Sequence, residues 1–365
     1  MKRNSFLLVI LSLTAIVMTA EQSATSADKE TVQAHLDPAL PEYQATSSVS
    51  GSIRTDGNLE DMGTLMNLWV SAFKKVQPGV HFSLDDVNNS TGKGVRALLA
   101  GIPSDVTLTG REMRPAELAA FTKKYGYEPA FIRVAGGSYE VHGKSPATVF
   151  FVNKANPLTK LSLDQLDAMY STTRKRNARA EITTWGQLGL KGEWADRPIT
   201  LYGLNPAAGT WTFLRGRILL GGEYRDNIKA VKYEHEDADW NEMVNDVAQD
   251  IGGIGFSSGG YAKSNPNLKP LALAETQSGP YYKATLESVE TQKYPLSRNV
   301  YITLNLRPGS QLDPKVKEFL SFVLSKEGQK VVQQEGEFLP LPAQIVKEER
   351  AKLGLGSLIA QSSGQ

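Results

Sequence analysis

Apolar positions along this chain alternate between two periods. Residues 50–54 read as a short strand, and Met62, Leu65, Met66, Trp69 and Phe73 then recur at helical spacing up to Pro78-Gly79. Val80-His81-Phe82-Ser83-Leu84 alternates like a strand, residues 95–100 return to the helical period, and Val106-Thr107-Leu108 is β-rich. Pro115 opens a helix over 116–124 that stops at Gly126. Thr148-Val149-Phe150-Phe151-Val152 is a dense β run, and Ser162 with Gln165 forms a capping box for a helix through Tyr170. Further along come a strand at 199–202, a helix at 209–220, a helix at about 239–249, a glycine-rich strand at 253–256 and an alternating stretch at 299–306. Two helices, 315–324 and 327–334, follow. Strands alternating with helices predict an α/β fold with mostly parallel sheets.

The first residues break this pattern. Lys2 and Arg3 precede an apolar run from Phe6 to Val17, and small residues follow at Ala20, Ser23, Ala24, Ser26 and Ala27. That layout predicts a cleaved secretory signal peptide at 1–27, because the run falls short of the ~20 residues a membrane span needs. Residues 28–48 are mixed and polar and read as a flexible leader. The expected product is a protein exported from the cytoplasm. The chain has 365 residues and no cysteine, so it has no disulfide, thiol chemistry or cysteine-borne lipid anchor. The formal net charge is +1, which argues against a nucleic-acid partner.

Three strand-to-helix loops carry candidate chemistry. Asn89-Ser90-Thr91-Gly92 offers hydroxyls and N–H groups at a helix start. It is not a P-loop, because Lys93 is followed by glycine. Gly110-Arg111 follows a strand, where an arginine fork can clamp an anion. Gly209-Thr210 opens the helix after strand 199–202. Ligands collect at the carboxyl ends of such strands, so the three loops together predict a small-oxyanion site. Two other chemistries fit less well. Gly255-Phe256-Ser257-Ser258-Gly259 matches a nucleophile elbow, but no helix is expected after it and all four histidines precede Ser257. The cluster Glu234-His235-Glu236-Asp237-Asp239 lacks a second histidine, so it reads as a helix cap and solvated face rather than a metal site. No catalytic residue, cofactor or metal is expected.

The segment from Val323 to Val332, followed by Gly336-Glu337-Phe338-Leu339-Pro340-Leu341-Pro342, resembles the C-terminal signature of phosphate-binding periplasmic proteins of ABC transporters. Tyr294-Pro295-Leu296-Ser297-Arg298, Gly252-Gly253-Ile254-Gly255-Phe256 and Val152-Asn153-Lys154-Ala155-Asn156-Pro157 are similar to further segments of that family. The resemblance implies a type II periplasmic-binding fold of two α/β lobes joined by a two-strand hinge. Lobe 1 would be 49–143 with 300–350 and lobe 2 would be 144–299, the crossings falling at 148–153 and 299–306. Residues 351–365 would form a tail. It also implies a monomer that binds phosphate or a related oxyanion and hands it to an ABC-transporter permease. In the second anion loop, Leu204 and Ala208 stand where the family commonly has arginine and serine. In the first loop, Asn58-Leu59-Glu60-Asp61 replaces hydroxyl donors. These departures imply weakened phosphate binding. The alternative is a divergent paralogue for another polar solute or a protein partner.

Overall fold

The computed structural model describes residues 34–206, 208–231 and 236–355. The signal-peptide expectation and the histidine of the acidic cluster lie outside them. The chain first lays down β1 (Gly51–Gly57), α1 (Leu59–Val76), β2 (Val80–Leu84), α2 (Thr91–Ala100), β3 (Val106–Thr109), α3 (Pro115–Tyr125) and β4 (Ala130–Gly136). A second set follows: β5 (Thr148–Asn153), β6 (Lys160–Ser162), α4 (Leu163–Tyr170), β7 (Thr200–Gly203), α5 (Gly209–Arg217), β8 (Lys229–Ala230) and α6 (Glu236–Gln249). It ends with β9 (Gly253–Ser258), α7 (Gly259–Ser264), β10 (Leu268–Pro270), β11 (Ala272–Ala274) and α8 (Leu286–Glu290). The chain then returns through β12 (Asn299–Leu304), α9 (Pro314–Val323), α10 (Lys326–Glu335) and α11 (Ala343–Lys352).

Two five-stranded sheets result, ordered β2-β1-β3-β12-β4 and β10-β5-β9-β7-β8. Each contains a parallel set, β2-β1-β3 and β9-β7-β8, built by strand–helix–strand units. Each also takes antiparallel strands: β12 runs against β3 and β4, and β5 runs against β9 and β10. The sheets are therefore mixed. β5 and β12 enter directly from the other lobe, with no helix to reverse their direction. Separate cores lie on the two sheets. Trp69, Phe73, Ile302 and Phe319 belong to the first, and Phe150, Trp185, Met243 and Phe256 to the second.

The lobes are joined by residues 137–147 and 291–298, not by the strands at 148–153 and 299–306, which lie inside the sheets. The two connectors run side by side. Gly137 N donates to Arg298 O at 2.8 Å and Thr148 N to Leu296 O at 3.2 Å. The resemblance implies crossings at 148–153 and 299–306; these segments are β5 and β12, each hydrogen-bonded into its own sheet.

Three local expectations are revised. Residues 34–48, read as a loose leader, are anchored: Leu40 is buried in the first core, and Tyr43 and Thr46 hydrogen-bond Glu318 of α9. At the start of this segment, His35 pairs with Glu290 of α8 at 3.0 Å. Of the expected tail, residues 351–355 are described: they finish α11 and its exit, with Leu353 and Leu355 buried in the first core. A short helix, α7, does follow Gly255–Gly259, because Tyr261 and Ala262 pack onto the second core. Ser257 is nonetheless fully buried, and its hydroxyl donates to Ser258 O at 2.8 Å. Among the described residues no helix is long and apolar enough to cross a membrane.

Candidate functional site

The loops after β1, β2 and β3 meet because α2 begins unusually close to the sheet. A methyl group on Gly94 of α2 would stand 2.5 Å from Gly57 Cα and 3.0 Å from Thr107 Cγ2. Only glycine allows that approach. It brings Thr91, the first residue of α2, onto the loop after β3, where Gly110 N donates to Thr91 Oγ1 at 2.9 Å. Three polar groups converge on Gly110. A methyl there would stand 3.1 Å from Asn58 Nδ2, 3.2 Å from Ser145 Oγ and 3.7 Å from Thr91 Oγ1.

A side chain of the connector 291–298 links this cluster to the second lobe. Arg298, 7% exposed, donates from Nη2 to Gly110 O at 3.3 Å and from Nη1 to Thr210 Oγ1 at 3.2 Å. Ser145 Oγ also donates to Gly110 O, at 3.1 Å. Thr91, Gly110 and Thr210 are thus strung together across both lobes by Arg298. Arg114 adds a second inter-lobe contact, with Nε donating to Thr212 Oγ1 at 3.3 Å. Beside this string lies an inter-lobe cavity of about 980 Å³, lined by Gly110, Arg111, Thr212, Phe213 and Arg298 among others.

The other candidates sit differently. Arg111 lines the cavity but is already paired: its guanidinium grips Glu117 with both terminal nitrogens, at 2.7 and 3.0 Å. Glu117 in turn accepts from Arg114 N at 2.7 Å, tying the pair to the start of α3. Burial pushes the Glu117 carboxyl up, but the hydrogen bonds from Arg111 and Arg114 outweigh it and hold it below the usual range. Asn89 accepts from Lys93 Nζ at 3.0 Å, and its carbonyl accepts from Glu60 N at 3.0 Å. Ser90 is the N-cap residue of α2 and Gly92 lies in its first turn. Gly209 opens α5, with nothing within 4 Å of where a side chain would begin. Leu204 and Ala208 are buried in the second core.

One carboxyl borders the cluster. Asp61, at the start of α1, is pushed above the ordinary aspartate value by burial and by the charge of Glu60. A hydrogen bond from Asn58 and the charges of Lys144 and His142 pull it partly back. Three contributors escaped the sequence reading. Asn58 follows a strand end, as Thr91 and Gly110 do, and that placement could have marked it. Arg298 lies in a segment noticed only for its family likeness. Ser145 carries no sequence signal at all.

This arrangement gathers hydroxyl, amide and guanidinium groups where the two lobes meet. The chain matches the model of the PBP superfamily domain over residues 43–327. It is 35% identical over 322 residues to phosphate-binding protein PstS of Pseudomonas aeruginosa, covering 88% of this chain and 93% of that one. It is 27% identical over 203 residues to phosphate-binding protein PstS of Staphylococcus saprophyticus, covering 55% and 57%. The crystal structure of PstS from Borrelia burgdorferi shares its fold, with a TM-score of 0.51 at 18% identity, over 80% of this chain and 99% of that one. The two lobes, their paired crossings and the match along most of the sequence agree: the chain belongs to the PBP superfamily, in the family of the phosphate-binding proteins PstS.

Proposed function

We propose that this protein is an exported, periplasmic solute-binding protein that takes phosphate or a related tetrahedral oxyanion between its lobes for uptake by an ABC transporter. It would work as a monomer, without cofactor or catalytic step, and pass its ligand to a membrane permease. The observation that carries the reading is the string Thr91–Gly110–Arg298–Thr210, which ties hydroxyls of both lobes to one buried cation. An oxyanion bound there would draw the lobes together, the hinge closure expected of two domains around a ligand. The loops lie at the carboxyl ends of parallel strands, the usual ligand position in α/β sheets.

A second reading is favoured by Leu204, Ala208 and Asp61. Leu204 and Ala208 supply no side-chain donor, and an ionised Asp61 would repel a dianion. On this reading the protein is a divergent paralogue that takes a less charged polar solute at the same place. Thermal melts of the purified protein with phosphate, sulfate and a panel of neutral polar solutes separate the two. A melting temperature that rises with phosphate concentration supports the first reading. A rise only with neutral solutes supports the second, and no rise with any of them contradicts both.

A further inference from the structure

We propose that the site draws its donors from the two inter-lobe connectors, with Arg298 as the cation that binds the oxyanion and Ser145 as an added hydroxyl. The proposal rests on the oxyanion reading above. The loop after β7 gives the site neither group: Leu204 is 1% exposed in the second core, and Ala208 has no hydroxyl. Arg298 and Ser145 come from opposite connectors, 291–298 and 137–147, yet both donate to the same carbonyl, Gly110 O, at 3.3 and 3.1 Å. They are therefore neighbours, and Asn58 Nδ2 and Thr91 Oγ1 reach the same residue.

The conformation of Ser145 supports a role. Its φ is 50°, in the left-handed region that residues other than glycine seldom occupy. Its loop enforces this. Ala147 N donates to Ser138 O at 3.1 Å and Ser138 N to Lys144 O at 2.8 Å, closing a tight turn. Lys144 then reaches the first lobe, donating to Asp61 O at 2.5 Å and pairing with Glu337 at 2.9 Å. On the second lobe, His142 of this loop packs edge-on against Trp240 and Tyr261. The loop is thus fixed to both lobes while it holds a hydroxyl at the site. Such enforced backbone geometry collects at ligand clamps.

Arg298 is held with similar care. Its guanidinium stacks over Phe213 of α5 at 5.0 Å while its two terminal nitrogens span the lobes. A planar fork so placed suits an oxyanion better than a flexible ammonium would. A ligand on Arg298 and Ser145 would grip the hinge itself as well as the lobes, so binding and closure would be a single event.

Calorimetric titration with inorganic phosphate and, separately, sulfate tests this on wild type, Arg298→Met, Arg298→Lys, Ser145→Ala and Arg215→Met. Arg215 contributes to the same cavity but pairs with Glu223, so its loss serves as the control. The expected result is a loss of about 10- to 100-fold in Arg298→Met, the weight of a charge-assisted hydrogen bond. A smaller loss is expected in Arg298→Lys and in Ser145→Ala, with Arg215→Met unchanged. The Arg298 side-chain nitrogen resonances should also shift as phosphate is added to the wild type. If Arg298→Met fails to fold, Arg298→Lys decides: reduced affinity in a folded protein supports the proposal, and wild-type affinity overturns it. Wild-type affinity in a folded Arg298→Met protein also overturns it while leaving the oxyanion reading intact. Wild-type protein that binds neither anion overturns both.

Discussion

The two lobes share a plan but use it differently. In the first, the loops after β1, β2 and β3 bring Asn58, Thr91 and Gly110 within reach of one another, because Gly94 lets α2 close on β1. In the second, the corresponding loop after β7 turns Leu204 and Ala208 into the core and leaves Thr210 to face Arg298. The same topology therefore holds a polar, pre-packed half-site on one side and a largely apolar one on the other. The difference teaches that an α/β strand end offers a position for a ligand donor, while sequence decides whether that position serves the ligand or the core.

The sharpest way to break this comparison is to return a cation to the second loop. Leu204→Arg places a charge at a site with 1% exposure, and we expect it to cost at least ~3 kcal/mol in denaturant unfolding without strengthening phosphate binding. A stable Leu204→Arg protein with tighter phosphate binding would show that the loop is still a ligand loop.

The next largest effect contrasts two glycines at the starts of α2 and α5. Gly94→Ala would press a methyl against Gly57 and should destabilise by about 2 kcal/mol, within the range of overpacking costs. Gly209→Ala meets open space and should be neutral or stabilise by up to ~1 kcal/mol through helix propensity. Equal melting temperatures for the two variants would remove the close-packed start of α2 as the reason the first half-site is pre-formed.

Thr210→Val should weaken oxyanion binding by about 1–1.5 kcal/mol, one hydrogen bond, and also lower stability by about 1 kcal/mol, because the buried Arg298 Nη1 loses its acceptor. Thr91→Val should weaken it similarly and also lower stability by about 1 kcal/mol, because Gly110 N loses its acceptor. Both hydroxyls are built into the fold, Thr91 through Gly110 N and Thr210 through Arg298 Nη1, and unchanged binding in either variant would remove that hydroxyl from the site.

The smallest effect concerns pH. Asp61 holds its proton more tightly folded than unfolded, because burial raises its pKa. Its contribution to stability is therefore greatest at low pH and is lost as pH rises from the ordinary aspartate range through the raised value. Asp61→Asn should flatten that part of the pH–stability curve and raise the melting temperature slightly at neutral pH. An unchanged curve would place Asp61 in ordinary solvent.

Much of the fold was legible in the sequence, and the reason is periodicity. Met62, Leu65, Met66, Trp69 and Phe73 form the buried face of α1, and the Ser162–Gln165 box caps α4 with bonds of 3.2 and 2.9 Å. What periodicity cannot carry is partnership between distant segments. It marked 299–306 as a strand without saying that β12 sits between β3 and β4. It also missed that residues 34–48 fold onto α9, because their anchors are single residues such as Leu40 and Tyr43. The site divides in the same way. Thr91, Gly110 and Thr210 lie at strand or helix ends, where local pattern points to ligands, and the structure joins them. Arg111 fits the same pattern yet pairs with Glu117 six positions on. Ser145 and Arg298 reach the site only because two connectors far apart in sequence run side by side.

Crystals grown with phosphate would test the central claim most directly. The account predicts one phosphate between the lobes, within hydrogen-bond distance of Thr91 Oγ1, Thr210 Oγ1 and the Arg298 guanidinium. Phosphate bound elsewhere, with Arg298 and both threonines making no contact to it, would contradict the account.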